Sequence, residues 1–187
     1  MDANDMTLYD HVLQVIKNNT LISLDLNHPN PFNDESFDLA EIRALSKKVR
    51  ISSISIVCCH VTEKNIVEFI DVMATLGNCR LNISHGDKYL FTVSDLKMMA
   101  EKNIKVTTIF ANQLKTDNFS SNLIEFIPVL KQLKHLEKFY YCSDDFADEP
   151  RPLHLFKDLP IQEITTNEFK LEQGEVENIV DILTQHR

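Results

Sequence analysis

Three histidines offer the first hint of chemistry. His28, His60 and His85 each fall just after a strand-like segment, and Cys59 and Asp87 stand close to two of them. Stacked turns would gather such side chains on one rim, and zinc accepts imidazole, thiolate and carboxylate. Zinc sites are usually built on a locally spaced ligand pair, and none occurs here: Cys58, Cys59, Cys79 and Cys142 form no CxxC. We expect surface or capping histidines, buried reduced thiols and no metal. A phosphate cradle is the second candidate. The nearest approach is Asn82-Ile-Ser-His-Gly-Asp87, but phosphate loops need clustered glycines, and the chain holds only Gly77, Gly86 and Gly174. No serine sits in a nucleophile elbow that would define a Ser-His-Asp set. The expectation is therefore a protein that is not an enzyme and needs no cofactor.

Charge narrows the partners. The net charge is −9. Nucleic acids and anionic membranes are bound by clustered Lys and Arg, so neither is expected. No stretch approaches the roughly 20 apolar residues that span a bilayer. Met1 to Asp10 is acidic and polar, unlike a secretory signal. The expected location is intracellular, cytoplasmic or nuclear. Another protein or peptide is the partner class that remains.

The elements that must position any site follow a repeat. Apolar residues spaced as LxxLxL occur at Leu21-x-x-Leu24-x-Leu26 and Ile51-x-x-Ile54-x-Ile56, with a degraded copy at Asn78-x-x-Leu81-x-Ile83. They return at Ile104-x-x-Thr107-x-Ile109, Leu136-x-x-Phe139-x-Tyr141 and Ile161-x-x-Ile164-x-Thr166. The steps between copies are similar, which is the signature of a repeat architecture. Helical stripes at i, i+3, i+4, i+7 lie between them: Ile66, Phe69, Ile70 and Met73; Leu123, Phe126, Ile127 and Leu130; Val176, Ile179, Val180 and Leu183. Thr62 is expected to open one helix and Gly77 to close it; Thr92 or Ser94 opens another, ending near Asn103. Residues 1–20 are expected to form an N-terminal capping helix through Leu8, Val12, Val15 and Ile16. The acidic segment with Asp144, Asp145, Asp148 and Glu149 reads as a solvated loop. A fifth helix near Leu153 to Lys157 is expected to be short, as little as a turn.

Alternating strands and helices imply a parallel sheet. A sheet covered on both faces has strands that are apolar throughout. Here alternate positions are polar: Ser23 and Asp25, Ser53 and Ser55, Arg80 and Asn82, Thr108, Lys138 and Tyr140, Glu163 and Thr165, with Val106 the exception. Helices are thus expected on one face only, in a single domain over 1–187: the cap at 1–20, then six strand–helix repeats over 21–187.

These LxxLxL strands resemble leucine-rich repeats of the long, ribonuclease-inhibitor-like kind. The family's Asn or Cys three residues after the last strand position is matched by Cys59 and Asn112 and missed by Pro29, Gly86, Asp144 and Phe169. The resemblance is to a divergent array, such as occurs among F-box-associated substrate receptors, although no F-box is present. It implies an α/β solenoid of about six parallel strands whose open sheet face binds a protein or peptide, as a substrate-recognition or scaffold domain or ubiquitin-ligase adaptor. By that resemblance Arg80, Asn82, Thr108, Phe110, Lys138 and Tyr140 are the partner-binding residues, with Arg80, Phe110, Lys138 and Tyr140 at the energetic centre. Two rivals stand beside it. One is a small-molecule or nucleotide-binding enzyme on an open α/β sheet. The other is a homo-oligomer joined through bare apolar residues on a terminal repeat.

Overall fold

The computed structural model describes residues 21–25, 39–56, 61–83, 89–115, 119–141, 156–157 and 159–166, and a few positions between 176 and 184. The N-terminal cap, the acidic loop and the cluster of His28, Cys59, His60, His85 and Asp87 lie outside these residues.

Strands and helices alternate: β1 (Leu21–Asp25), α1 (Leu39–Ser46), β2 (Arg50–Ile56), α2 (Ile66–Thr75), β3 (Arg80–Ile83), α3 (Val93–Glu101), β4 (Lys105–Phe110), a 3-10 turn (Ala111–Gln113), α4 (Phe119–Leu130), β5 (Lys138–Tyr141) and β6 (Glu163–Thr166). Between β5 and β6, Phe156 and Lys157 form a 3-10 turn where the short fifth helix is expected. The strands pair in chain order, each parallel to the next. Crossovers between parallel strands share one hand. An order that never reverses therefore places the described helices on the same side of the sheet. Accordingly α1, α2, α3 and α4 pack as successive neighbours.

The helix stripes do what their spacing requires. Ile66, Phe69, Ile70 and Met73 of α2 are buried, as are Leu123, Phe126, Ile127 and Leu130 of α4. Val67 and Ile124, off those stripes, are exposed. The inward strand positions Ile54, Leu81, Ile83, Val106, Ile109 and Phe139 join them in one continuous core. Each such side chain contributes about 1.5–3 kcal/mol on leaving water. Phe156 extends that core past β5, its ring centroid 4.9 Å from that of Phe139. The last expected stripe differs: its described members, Val176 and Val180, are exposed.

Local chemistry sets the helix ends. Thr92 is the N-cap of α3, and with Asp95 it forms a reciprocal capping box. The α3 C-terminus closes through Asn103 at φ 53°. There the Asn103 amide donates to the Ala100 carbonyl and the Ile104 amide to that of Met99, both at 3.0 Å. This paired arrangement suits Asn, one of the few side chains that tolerate left-handed backbone. Gly77 at φ 61° plays the same part after α2. At the other end of α2 the expectation is corrected. Thr62 opens a turn rather than the helix, and Asn65 is the N-cap residue, its Oδ1 accepting the Thr62 amide at 2.7 Å.

The sequence pattern also misplaces one strand residue. Val106, expected among the outward positions, is fully buried. Val106 pairs with Leu81, but the next pair is Asn82 with Thr108. Thr107 is therefore an extra residue in β4, a bulge, and the one-residue insertion returns Val106 to the core face. A similar irregularity in β2 places Ser52 between the pairs Ile22–Ile51 and Ser23–Ser53.

Candidate functional site

Strand register sets residues of the polar sheet face in rows. Asp25, Ser55, Asn82, Thr108, Lys138 and Glu163 are successive partners from β1 to β6. Phe110, Tyr140 and Thr165 form the next row toward the strand C-termini. Ser53, Arg80 and Lys105 form the row on the other side. All six residues singled out from the sequence lie on this face. Asn82, Thr108 and Lys138 are consecutive within one row, Phe110 and Tyr140 are direct neighbours in the second, and Arg80 stands exposed in the third. None of Ser55, Asn82 and Thr108 is buried, whereas the alternate residues Ile54, Leu81 and Ile109 are.

The β4–β5 register creates the main feature. The repeat pattern aligns Thr107 with Phe139 and Ile109 with Tyr141. The structure instead pairs Ile109 with Phe139 and Phe110 with Tyr140, a slip of two residues. Side chains alternate with period two, so this slip leaves every residue on its own face while changing its partner. As a result the Phe110 and Tyr140 rings stack, with centroids 4.3 Å apart and planes inclined by 11°. The pair forms a half-buried aromatic plate on an otherwise polar surface. Next to it Lys138 Nζ meets Glu163 at 2.6 Å. The hydrogen bond and the charge of Glu163 raise the Lys138 ammonium above its ordinary range. The exposure of this pair keeps its contribution to stability small.

On the other side of the plate a polar chain crosses three strands. The Thr107 hydroxyl donates to Asn82 Oδ1 at 2.7 Å, and Asn82 Nδ2 donates to Ser55 Oγ at 3.2 Å. The bulge explains why Thr107 can be buried: its hydroxyl is satisfied by a face residue, with the Leu81 carbonyl also within 3.5 Å. Both ends of the Asn82 amide are thereby used and its rotamer is fixed. Sequence reasoning missed this role for Thr107 by reading it as a plain core position. The signal present was a threonine where other copies carry Ile, Leu or Phe.

Two other titratable groups, Tyr89 and Cys79, are shifted by their surroundings. Asp95 lies 5% exposed, and its Oδ2 accepts from the Thr92 amide (2.8 Å), the Thr92 hydroxyl (2.7 Å) and the Tyr89 hydroxyl (2.8 Å). Burial, reinforced by Asp95, pushes the Tyr89 phenol well above its usual range. Burial alone pushes the Cys79 thiol up to about 11. Neither group lies on the polar sheet face. Among the described residues no cluster of His, Cys, Asp and Glu could hold a metal ion, and no helix is long and apolar enough to cross a membrane.

No protein-family model matches this chain, and no curated protein matches it either.

Proposed function

We propose that the chain is a non-catalytic protein-binding module that recognises a partner protein or peptide through the polar face of its sheet. In this reading the fold is a divergent leucine-rich-repeat-like solenoid serving as a substrate-recognition or scaffold domain inside the cell. A ubiquitin-ligase adaptor is the role that the sequence resemblance favours. The observation that carries the proposal is the stacked Phe110–Tyr140 plate. Aromatic side chains and Arg are the residue types that most often dominate binding energy, particularly where polar groups surround them. Here the plate has Asn82, Thr108 and Lys138 in the adjoining row and Arg80 one row farther on. The strand order supports the same reading over the enzyme rival. Open α/β enzymes bind ligands where strand order reverses, and the described strands run in chain order throughout.

Site-directed photo-crosslinking tests the proposal. A photoreactive residue at Thr108 should crosslink a partner in native extract, and one at exposed Ile124 on α4 should not. Substituting Phe110→Ala and Tyr140→Ala should abolish the Thr108 adduct. Equal adducts from both positions, or an adduct that survives the double substitution, would reject the polar face as the binding surface.

A further inference from the structure

Charges between neighbouring elements are answered unevenly. Lys138 on β5 meets Glu163 on β6 at 2.6 Å. Arg43 on α1 meets Glu68 on α2, and Lys102 at the end of α3 meets Asp71 on α2. Arg80 and Lys105 are matched differently. They are direct register partners on β3 and β4, cation beside cation. Like charges placed directly opposite on a sheet are destabilising. Lys105 turns to a neutral group, its Nζ donating to Asn78 Oδ1 at 2.7 Å. The exposed Arg80 guanidinium has no hydrogen-bond or ion-pair partner among the described residues.

Register fixes how far this charge lies from the aromatic plate. Asn82 follows Arg80 on the same face of β3 and pairs with Thr108, and Phe110 follows Thr108 on the same face of β4. Arg80 and the plate are therefore one strand and two rows apart, about 13 Å along the sheet and about 4.8 Å across it. An extended chain repeats its side chains on one side every two residues, about 6.6 Å, which is the spacing of these rows. Its residues i and i+4 would span from charge to plate, with i+2 over the half-buried Thr108. A helix advances about 5.4 Å per turn and needs about nine residues for the same distance, so its turns do not follow the rows.

We infer, resting on the sheet-face binding role above, that the partner presents an extended peptide segment with a carboxylate for Arg80 and a large apolar side chain for the Phe110–Tyr140 plate, at positions i and i+4. Either order of the two residues is allowed, because a peptide can lie along the strands in two directions. Arg offers forked donors that match a carboxylate in two parallel bonds. A carboxylate at Arg80 also relieves its repulsion with Lys105, a gain that exists only in the complex. The other cation of this face, Lys138, is already neutralised by Glu163. The plate is a prepared surface: its rings stack on each other, and Asn82 in the adjoining row is held by Thr107 and Ser55. Little side-chain freedom is then lost on binding.

Random peptides displayed on phage and selected on the immobilised full chain provide the test. Selected peptides should carry Asp or Glu and Phe, Tyr, Trp or Leu at i and i+4 in either order. A synthetic peptide of that pattern should bind wild type saturably in fluorescence anisotropy. Arg80→Glu should weaken it by roughly tenfold or more, the weight of a charged hydrogen bond. The same variant should regain affinity for the peptide with Lys in place of its acidic residue. Lys97→Glu, at an exposed position on α3, should bind as wild type. Arg80 is exposed, so circular dichroism of its variant should be unchanged. Three outcomes would overturn the inference: no peptide selected, undiminished binding by Arg80→Glu, or plate-dependent peptides without the acidic residue at that spacing, including those with the longer spacing of a helix. The last of these would leave the sheet-face role standing. Selected peptides whose binding survives Phe110→Ala/Tyr140→Ala would overturn both.

Discussion

The one-sided sheet can be tested with two residues only two positions apart. Val106 is 0% exposed and paired with Leu81, while Thr108 lies on the polar face between Asn82 and Lys138. Val106→Ala removes the equivalent of two methylene groups, about 1.6 kcal/mol of transfer free energy at 0.8 kcal/mol each. The cavity left behind adds to this, for an expected loss of about 2–3 kcal/mol. Val106→Asp is harsher, since an unpaired buried carboxylate costs several kcal/mol more. Total stability is typically about 5–15 kcal/mol, so this variant should be largely unfolded. Thr108→Glu should change stability by about 1 kcal/mol at most, the loss of strand preference being partly offset by Lys138 across the register. Urea unfolding followed by circular dichroism is the assay. With a slope of about 2–3 kcal/mol per molar, Val106→Ala should lower the midpoint by about 1 M. A negligible shift for Val106→Ala, or a loss above 2 kcal/mol for Thr108→Glu, would refute the bulge and the facing of β4.

Three further outcomes follow from the same contacts. Asp95→Ala removes one side of the capping box and the acceptor shared by Thr92 and Tyr89, and should cost about 2–3 kcal/mol in urea unfolding. It should also bring the Tyr89 phenol back toward its ordinary range in a spectrophotometric titration. Asn82→Ala strands the Thr107 hydroxyl and should cost about 1–2 kcal/mol, while the double variant with Thr107→Val should be less destabilised than the two single losses together. Cys79 should resist alkylation in the native protein near pH 8 and react once unfolded. Its thiol is raised from 9.0 to about 11 in the folded chain, so between those values the unfolded state has released a proton that the folded state keeps. The Cys79 contribution should therefore lower stability as pH rises through that window, and Cys79→Ala should remove this part of the alkaline loss.

Much of this architecture was legible in the residues. The LxxLxL spacing located the strands, and the i, i+3, i+4, i+7 stripes in α2 and α4 located buried helix faces, because burial imposes those two periods on any sequence. Thr92 was legible as one of two candidate helix starts, and its reciprocal bond with Asp95 decided between it and Ser94. Register was not legible. A slip of two residues between β4 and β5 leaves the apolar pattern unchanged, so periodicity cannot distinguish Phe110 beside Tyr140 from Phe110 beside Cys142. The bulge at Thr107 was hidden for a related reason. Threonine fits a strand core and a polar face almost equally well, and only its bond to Asn82 shows which use prevails. Thr62 and Asn65 are both good capping types, and the turn between them decided the helix start. The six face residues could be grouped by alternation, but their rows, the aromatic stack and the Lys138–Glu163 pair depend on cross-strand partners.

Affinity capture from native extract, comparing wild type with the Phe110→Ala/Tyr140→Ala variant and with a Val67→Ser/Ile124→Ser variant of the helix side, addresses the binding role most directly. Loss of one specific partner with the aromatic variant alone, both variants remaining folded, is the outcome expected of a sheet-face binding module. Partner profiles identical for wild type and the aromatic variant, or lost only with the helix-side variant, would contradict it.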